Sequence, residues 1–126
     1  MDFFYFDQVY KRPLLIPALI EKVFYNLIEN SLRHGGRVTR MSFSFEEEQN
    51  GAVITYRDNG DGISLAFKQK LFRRGFGKHT GFGLFLSQEI LSITGITIAE
   101  NGIPEKGIRF EITVPNGMWR TAGNVT

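Results

Sequence analysis

The chain has no cysteine, which excludes disulfides and thiolate metal sites and fits a reducing, cytoplasmic compartment. It has little excess of either charge: 15 Lys and Arg against 13 Asp and Glu leave +2 over 126 residues. That balance lacks the electrostatic footprint of a nucleic-acid binder, so no nucleic-acid partner is expected. Charged residues break every apolar run well short of a bilayer span of about 20 residues, and no membrane contact by this segment is expected. The aromatic cluster Phe3 to Phe6 sits between Asp2 and Asp7, where a signal peptide would carry basic residues. Repeats and low-complexity stretches are also missing. What remains is ordinary globular composition, 42% apolar and 22% charged, with twelve Phe to fill a core. One domain over residues 1–126 is expected, with a core from 19 to 115 and a frayed tail from 116 to 126.

Periodicity gives a map of the elements. From Leu19 onward, Ile20, Val23, Phe24, Leu27, Ser31 and Leu32 recur at helical spacing; Pro17 suits the first turn and Gly35-Gly36 the end. Val38 to Glu46 alternates Met41, Phe43 and Phe45 with serines, and Asn50-Gly51 turns the chain into Ala52 to Arg57, which reads as a hairpin. A short helical piece follows over Leu65 to Phe72, and a longer helix over Leu84 to Ile93 stops at Gly95. Ile96 to Glu100 and Ile108 to Val114 read as strands joined by a turn at Asn101, Gly102 and Pro104. Phe3 to Leu15 carries the weakest pattern. Helices mixed with hairpins predict an α+β fold, a two-layer sandwich with helices on one face of a mixed sheet.

Three clusters carry chemistry. Asn26, Asn30 and Arg33 stand at i, i+4 and i+7, on one narrow face of the first helix. Amide oxygens there suit a partly hydrated Mg²⁺, and a guanidinium suits phosphate; taken alone, the triplet also fits the solvated face of an amphipathic helix. Asp58-Asn59-Gly60-Asp61-Gly62-Ile63 follows a strand directly. A carboxylate at a strand end can accept a hydrogen bond from an exocyclic amine, and the glycines let backbone approach a flat base. An ordinary Asx turn fits equally, whereas an EF-hand fails for want of its acidic positions. Gly75 to Gly83 is a glycine loop leading into a helix start, a natural phosphate site or a plain linker. It is not a P-loop, since no glycine stands five residues before Gly77 and His79 follows Lys78.

In this order and at these spacings the clusters resemble the histidine-kinase type of the ATPase fold shared with gyrase, the Hsp90 chaperones and the mismatch-repair proteins. Phe24-Tyr25-Asn26-Leu27-Ile28-Glu29-Asn30-Ser31 is similar to that family's N box, and Asp58-x-Gly60-x-Gly62-Ile63 to its G1 box. Leu71-Phe72-Arg73-Arg74-Gly75-Phe76 is similar to its F box, Thr80-Gly81-Phe82-Gly83-Leu84 to its G2 box, and Gly107 to Pro115 to its final strand. The resemblance implies ATP binding with Mg²⁺. It implies that Asn30 holds the metal beside Asn26, that Arg33 takes the place of a phosphate-contacting Lys, and that His34 lies near the nucleotide. Asp58 would bind the adenine amine, with Gly60, Gly62 and Ile63 around it. Lys78, His79, Thr80, Gly81, Phe82, Gly83 and Leu84 would line the phosphates, Lys78 reaching the terminal one.

The chain departs from the family at His79, where a further glycine is usual, near Pro17, where an Asp is usual, and in a short lid over Gly75 to Thr80. Position 26 separates the family's branches. The gyrase and chaperone branches, and serine kinases of the anti-sigma type, carry a Glu there that activates water. Asn26 cannot accept that proton, so the γ-phosphoryl should survive for transfer to a protein nucleophile. Neither His34 nor His79 sits in a phosphoacceptor context, and no helical hairpin fits residues 1–18. The expected partners are therefore a phosphoacceptor histidine hairpin elsewhere, through which dimerisation would occur, and a response regulator downstream. A nucleotide-sensing module without catalysis is the alternative from another class.

Overall fold

The computed structural model describes residues 4–7, 14–15, 18–73, 84–118 and 120–121. The stripe Ile20, Val23 and Leu27 closes against the alternate residues of a sheet, so helical and extended periodicities meet in one core. Helix α1 covers Ala18–His34, with Glu21 in its first turn and Arg33 and His34 in its last, complementing the helix dipole at both ends. It stops where Gly36 turns left-handed at φ 75°.

Five strands form a mixed sheet: β1 (Phe4–Asp7), β3 (Met41–Glu48), β4 (Gly51–Asp58), β6 (Arg109–Pro115) and β5 (Thr97–Glu100), in that spatial order. β1 runs parallel to β3, and α1 supplies the crossover that parallel neighbours require. The remaining pairs are antiparallel, with Phe43 opposite Tyr56 and Tyr56 opposite Phe110. Their inward residues, among them Phe43, Ile54, Tyr56, Phe110 and Ile112, are buried. The Phe43 ring lies 4.5 Å from Phe24 of α1 and 4.8 Å from Tyr56, tilted to both, as quadrupolar rings prefer. Among the described residues two further helices follow, α2 (Leu65–Lys68) and α3 (Leu84–Ile93), of which α3 packs beside α1, and β2 (Leu14–Leu15) pairs with β7 (Arg120–Thr121).

The boundaries shift where backbone donors find other partners. Thr39 and Arg40 donate to the Asn59 side chain, each at 3.0 Å, so β3 begins at Met41 rather than Val38. The Ile96 amide caps α3 by donating to Leu91, and β5 begins one residue later. The Ile108 amide goes to Asp58, so β6 begins at Arg109. The hairpin loop is Gln49-Asn50, one residue before the expected Asn50-Gly51, because Gly51 already pairs with Glu48. α2 is shorter than expected: after Lys68 the chain continues in turns through Arg73. Within the expected tail, Arg120–Thr121 forms β7.

Candidate functional site

A pocket opens where the last turn of α1, the end of β4 and the start of β6 converge. From α1 and the residue after it come Asn30, Ser31, His34 and Gly35; the end of β4 and its loop supply Asp58, Gly62 and Ile63; Ile108 and Phe110 form the far wall. The mix of apolar walls with a few convergent polar groups is typical of small-molecule sites.

Among the described residues, Asp58 is the only carboxylate in that lining. It is 7% exposed, and its charge is met by three donors. Oδ1 accepts from the amides of Gly60 at 3.0 Å and Ile108 at 3.1 Å, and Oδ2 accepts from the Ser31 hydroxyl at 2.7 Å. A carboxylate has about four acceptor lobes; the one left belongs to Oδ2. Ser31 Oγ also lies 2.6 Å from the Tyr56 hydroxyl. Burial, and with it the Asp58 charge, hold the Tyr56 phenol above its usual 10.0.

The loop after β4 is held close to the end of α1. A Cβ on Gly60 would stand 2.2 Å from the Gly35 carbonyl oxygen, and Asp61 donates its amide to that same oxygen at 2.8 Å. Gly60 is therefore bare for packing against α1 and does not line the pocket, whereas Gly62 does.

The N-box residues separate. Asn30 is 5% exposed, its amide oxygen is buried, and it lines the pocket beside His34. Asn26 lies one turn back, outside the lining, where its Nδ2 donates to Ser87 Oγ at 2.9 Å and ties α1 to α3. Arg33 stands outside the lining too, on the surface, paired with Glu29 at 2.9 Å with the two side chains 62% and 57% exposed. Leu84 is fully buried in the core. Lys78, His79, Thr80, Gly81, Phe82 and Gly83 lie outside the described residues.

Reading by motif overlooked Ser31, Tyr56, Ile108 and Phe110. Ser31 had a signal, a polar residue inside an otherwise apolar helical stripe. Tyr56 had one as well, two residues from Asp58 and so on the same face of the strand. Ile108 contributes through its backbone amide, which leaves no trace in residue identity.

A model of the histidine kinase-, DNA gyrase B-, and HSP90-like ATPase family matches residues 16–118. The chain is 32% identical over 103 residues to the alginate biosynthesis sensor protein KinB of Pseudomonas aeruginosa, covering 76% of this chain and 17% of that protein. It is 31% identical over 109 residues to the signal transduction histidine-protein kinase AfsQ2 of Streptomyces coelicolor, covering 80% of this chain and 20% of that one. It thus spans a fifth or less of the length of these relatives. The ATP binding domain of PrrB from Mycobacterium tuberculosis superposes with a TM-score of 0.72 at 25% identity, over 90% of this chain and 79% of that one.

Proposed function

This chain belongs to the histidine kinase-, DNA gyrase B-, and HSP90-like ATPase family, and from that premise we propose that it binds ATP with Mg²⁺ and presents the γ-phosphoryl group to a histidine on a separate helical hairpin. The observation that carries the reading is the buried Asp58, pinned by three donors with one acceptor lobe left, in a pocket it shares with buried Asn30. Asp58 would accept the adenine amine, Ile63 and Phe110 would flank the base, and His34 would lie against base or ribose. The donor set fits magnesium: a neutral amide oxygen from Asn30 leaves other coordination sites to phosphate and water. Bound there, Mg²⁺ would neutralise charge building on the phosphate oxygens.

The chain's own residues then bias the outcome towards transfer. The amide of Asn26, engaged with Ser87, cannot take a proton from water. To contact phosphate, Arg33 has to exchange Glu29, and an exposed pair of that kind is worth only about 0.2–1 kcal/mol. By their G2-box sequence, Lys78 through Gly83 would line the phosphates, with Lys78 reaching the terminal one. The wider setting proposed is a cytoplasmic two-component system, with the phosphoacceptor hairpin providing dimerisation and a response regulator receiving the phosphoryl group. Among the described residues no helix is long and apolar enough to cross a membrane.

Isothermal titration tests the site. The unaltered chain should bind ATP when Mg²⁺ is present, Asp58→Ala should weaken binding at least about tenfold, and Asn30→Ala should abolish the magnesium dependence. Unchanged affinity in Asp58→Ala would remove the assignment of the adenine pocket.

A further inference from the structure

Ser31, Tyr56 and Asp58 form a line of polar side chains drawn from two elements and enclosed in the core; Ser31 is 1% and Tyr56 0% exposed. The direction of its hydrogen bonds follows from chemistry. An ionised carboxylate only accepts, so the single proton of the Ser31 hydroxyl is committed to Asp58 Oδ2 at 2.7 Å. The 2.6 Å contact between Ser31 and Tyr56 must then have the phenol as donor. The line runs from Tyr56 through Ser31 to Asp58, and burial keeps the phenol protonated to serve as its source.

Resting on the nucleotide reading above, we propose that Ser31 and Tyr56 are positioning residues for base selection, fixing Asp58 as a single, non-rotating acceptor for an amine at position six of a purine. Oδ1 is held from two sides, by the loop amide of Gly60 and the β6 amide of Ile108, and Oδ2 is held from α1 by Ser31. A base with an amine at position six supplies the one donor still wanted. A base with a carbonyl there sets acceptor against acceptor, and a carboxylate pinned at both oxygens cannot turn to relieve the clash. Without the Ser31 hydroxyl, Oδ2 is released on one side, and the carboxylate can tilt or admit a water that tolerates the carbonyl. Tyr56 acts one step further back: it orients the Ser31 hydroxyl and touches no base.

The test is the ratio of affinities for ATP and inosine triphosphate, which differ at position six, measured by displacement of a fluorescent nucleotide from the full chain with Mg²⁺ present. Ser31→Ala should reduce the preference for ATP about tenfold and Tyr56→Phe about threefold, scaled from one hydrogen bond made or weakened. Ser31→Thr, which keeps the hydroxyl, should retain the preference. In a Ser31→Ala background, adding Tyr56→Phe should change the ratio no further, because Tyr56 works only through Ser31. Thermal unfolding of each variant separates selectivity from loss of fold, and if Ser31→Ala does not fold, Tyr56→Phe decides. A wild-type preference for ATP that persists undiminished in the folded variants overturns this inference and leaves the nucleotide site standing. Equal binding of both nucleotides by the unaltered chain overturns this inference together with the adenine role of Asp58, and absent binding of both overturns the nucleotide site as well.

Discussion

Asp58 and Tyr56 sit two residues apart on the inward face of β4, and burial treats them differently. Asp58 keeps its place through three donors, whereas Tyr56 keeps its proton. The consequence appears at high pH. Because the folded pKa of Tyr56 lies above its usual 10.0, the folded protein holds that proton more tightly than the unfolded chain. The stabilisation is fully present below pH 10.0 and is lost as pH rises through the folded value. Tyr56→Phe cannot titrate, so its stability should fall less between about pH 9 and about pH 11 than that of the unaltered chain. Urea unfolding at both pH values measures this, and equal losses would show that the phenol is not what resists alkali. At the same scale, Asp58 and Asn30 were legible because each stands in a spaced motif. The surface pairing of Arg33 with Glu29 was not, since two side chains at i and i+4 choose each other only after the helix has chosen its buried face.

Among the elements, the join between β4 and β6 carries the site. Gly107 sits at φ 104°, and a Cβ there would stand 2.1 Å from the Asp58 carbonyl oxygen, so any side chain must push the start of β6 away from β4. The amide of Ile108, which holds Asp58 Oδ1, would move with it. Gly107→Ala should therefore cost about 1–3 kcal/mol or more and weaken ATP binding as well. Gly117→Ala is the comparison: φ is also positive at 91°, but nothing lies within 4 Å of an added Cβ. It should lose stability through backbone strain alone and leave nucleotide affinity unchanged. Denaturant unfolding paired with ATP titration distinguishes them, and a Gly107→Ala variant with unaltered affinity would refute the role given to that join. Helix α3 and the β3–β4 hairpin were readable from periodicity because their patterns are long. Strands β2 and β7, two residues each, carry no pattern and exist through pairing with one another. The Lys68 ammonium, 2.6 Å from the nearly buried carboxylate of Glu100, likewise joins α2 to the end of β5 across a separation that no local pattern spans.

For the molecule as a whole, the expected behaviour is a site able to hold ATP with no acceptor of its own. Among the described residues ahead of α1, 4–7 and 14–15 form strands β1 and β2, and the amide of Asn26 cannot take a proton from water. With γ-labelled ATP, the purified chain should release phosphate very slowly and remain unlabelled, and a matching hairpin domain added in trans should acquire acid-labile phosphate. General-base catalysis is worth about 10² to 10⁴-fold, so rapid metal-dependent hydrolysis by the chain alone would overturn the kinase reading. Tight binding with no transfer to a cognate hairpin would favour a nucleotide-sensing module.

The amino-acid order by itself determined the fold class, the main helices and strands of the core, and the motifs around Asn30 and Asp58, because these rest on periodicity and on residues whose spacing is local. Tertiary structure alone decided that β1 lies parallel to β3, that Asn26 reaches Ser87 on another helix, that Gly60 is bare for the sake of α1, and that Ser31 and Tyr56 converge on Asp58. The physical reason is common to all four. Each depends on which side chain or backbone group arrives from a distant part of the chain, and a buried polar group takes the partner that packing brings within hydrogen-bonding distance, whatever its position in the sequence.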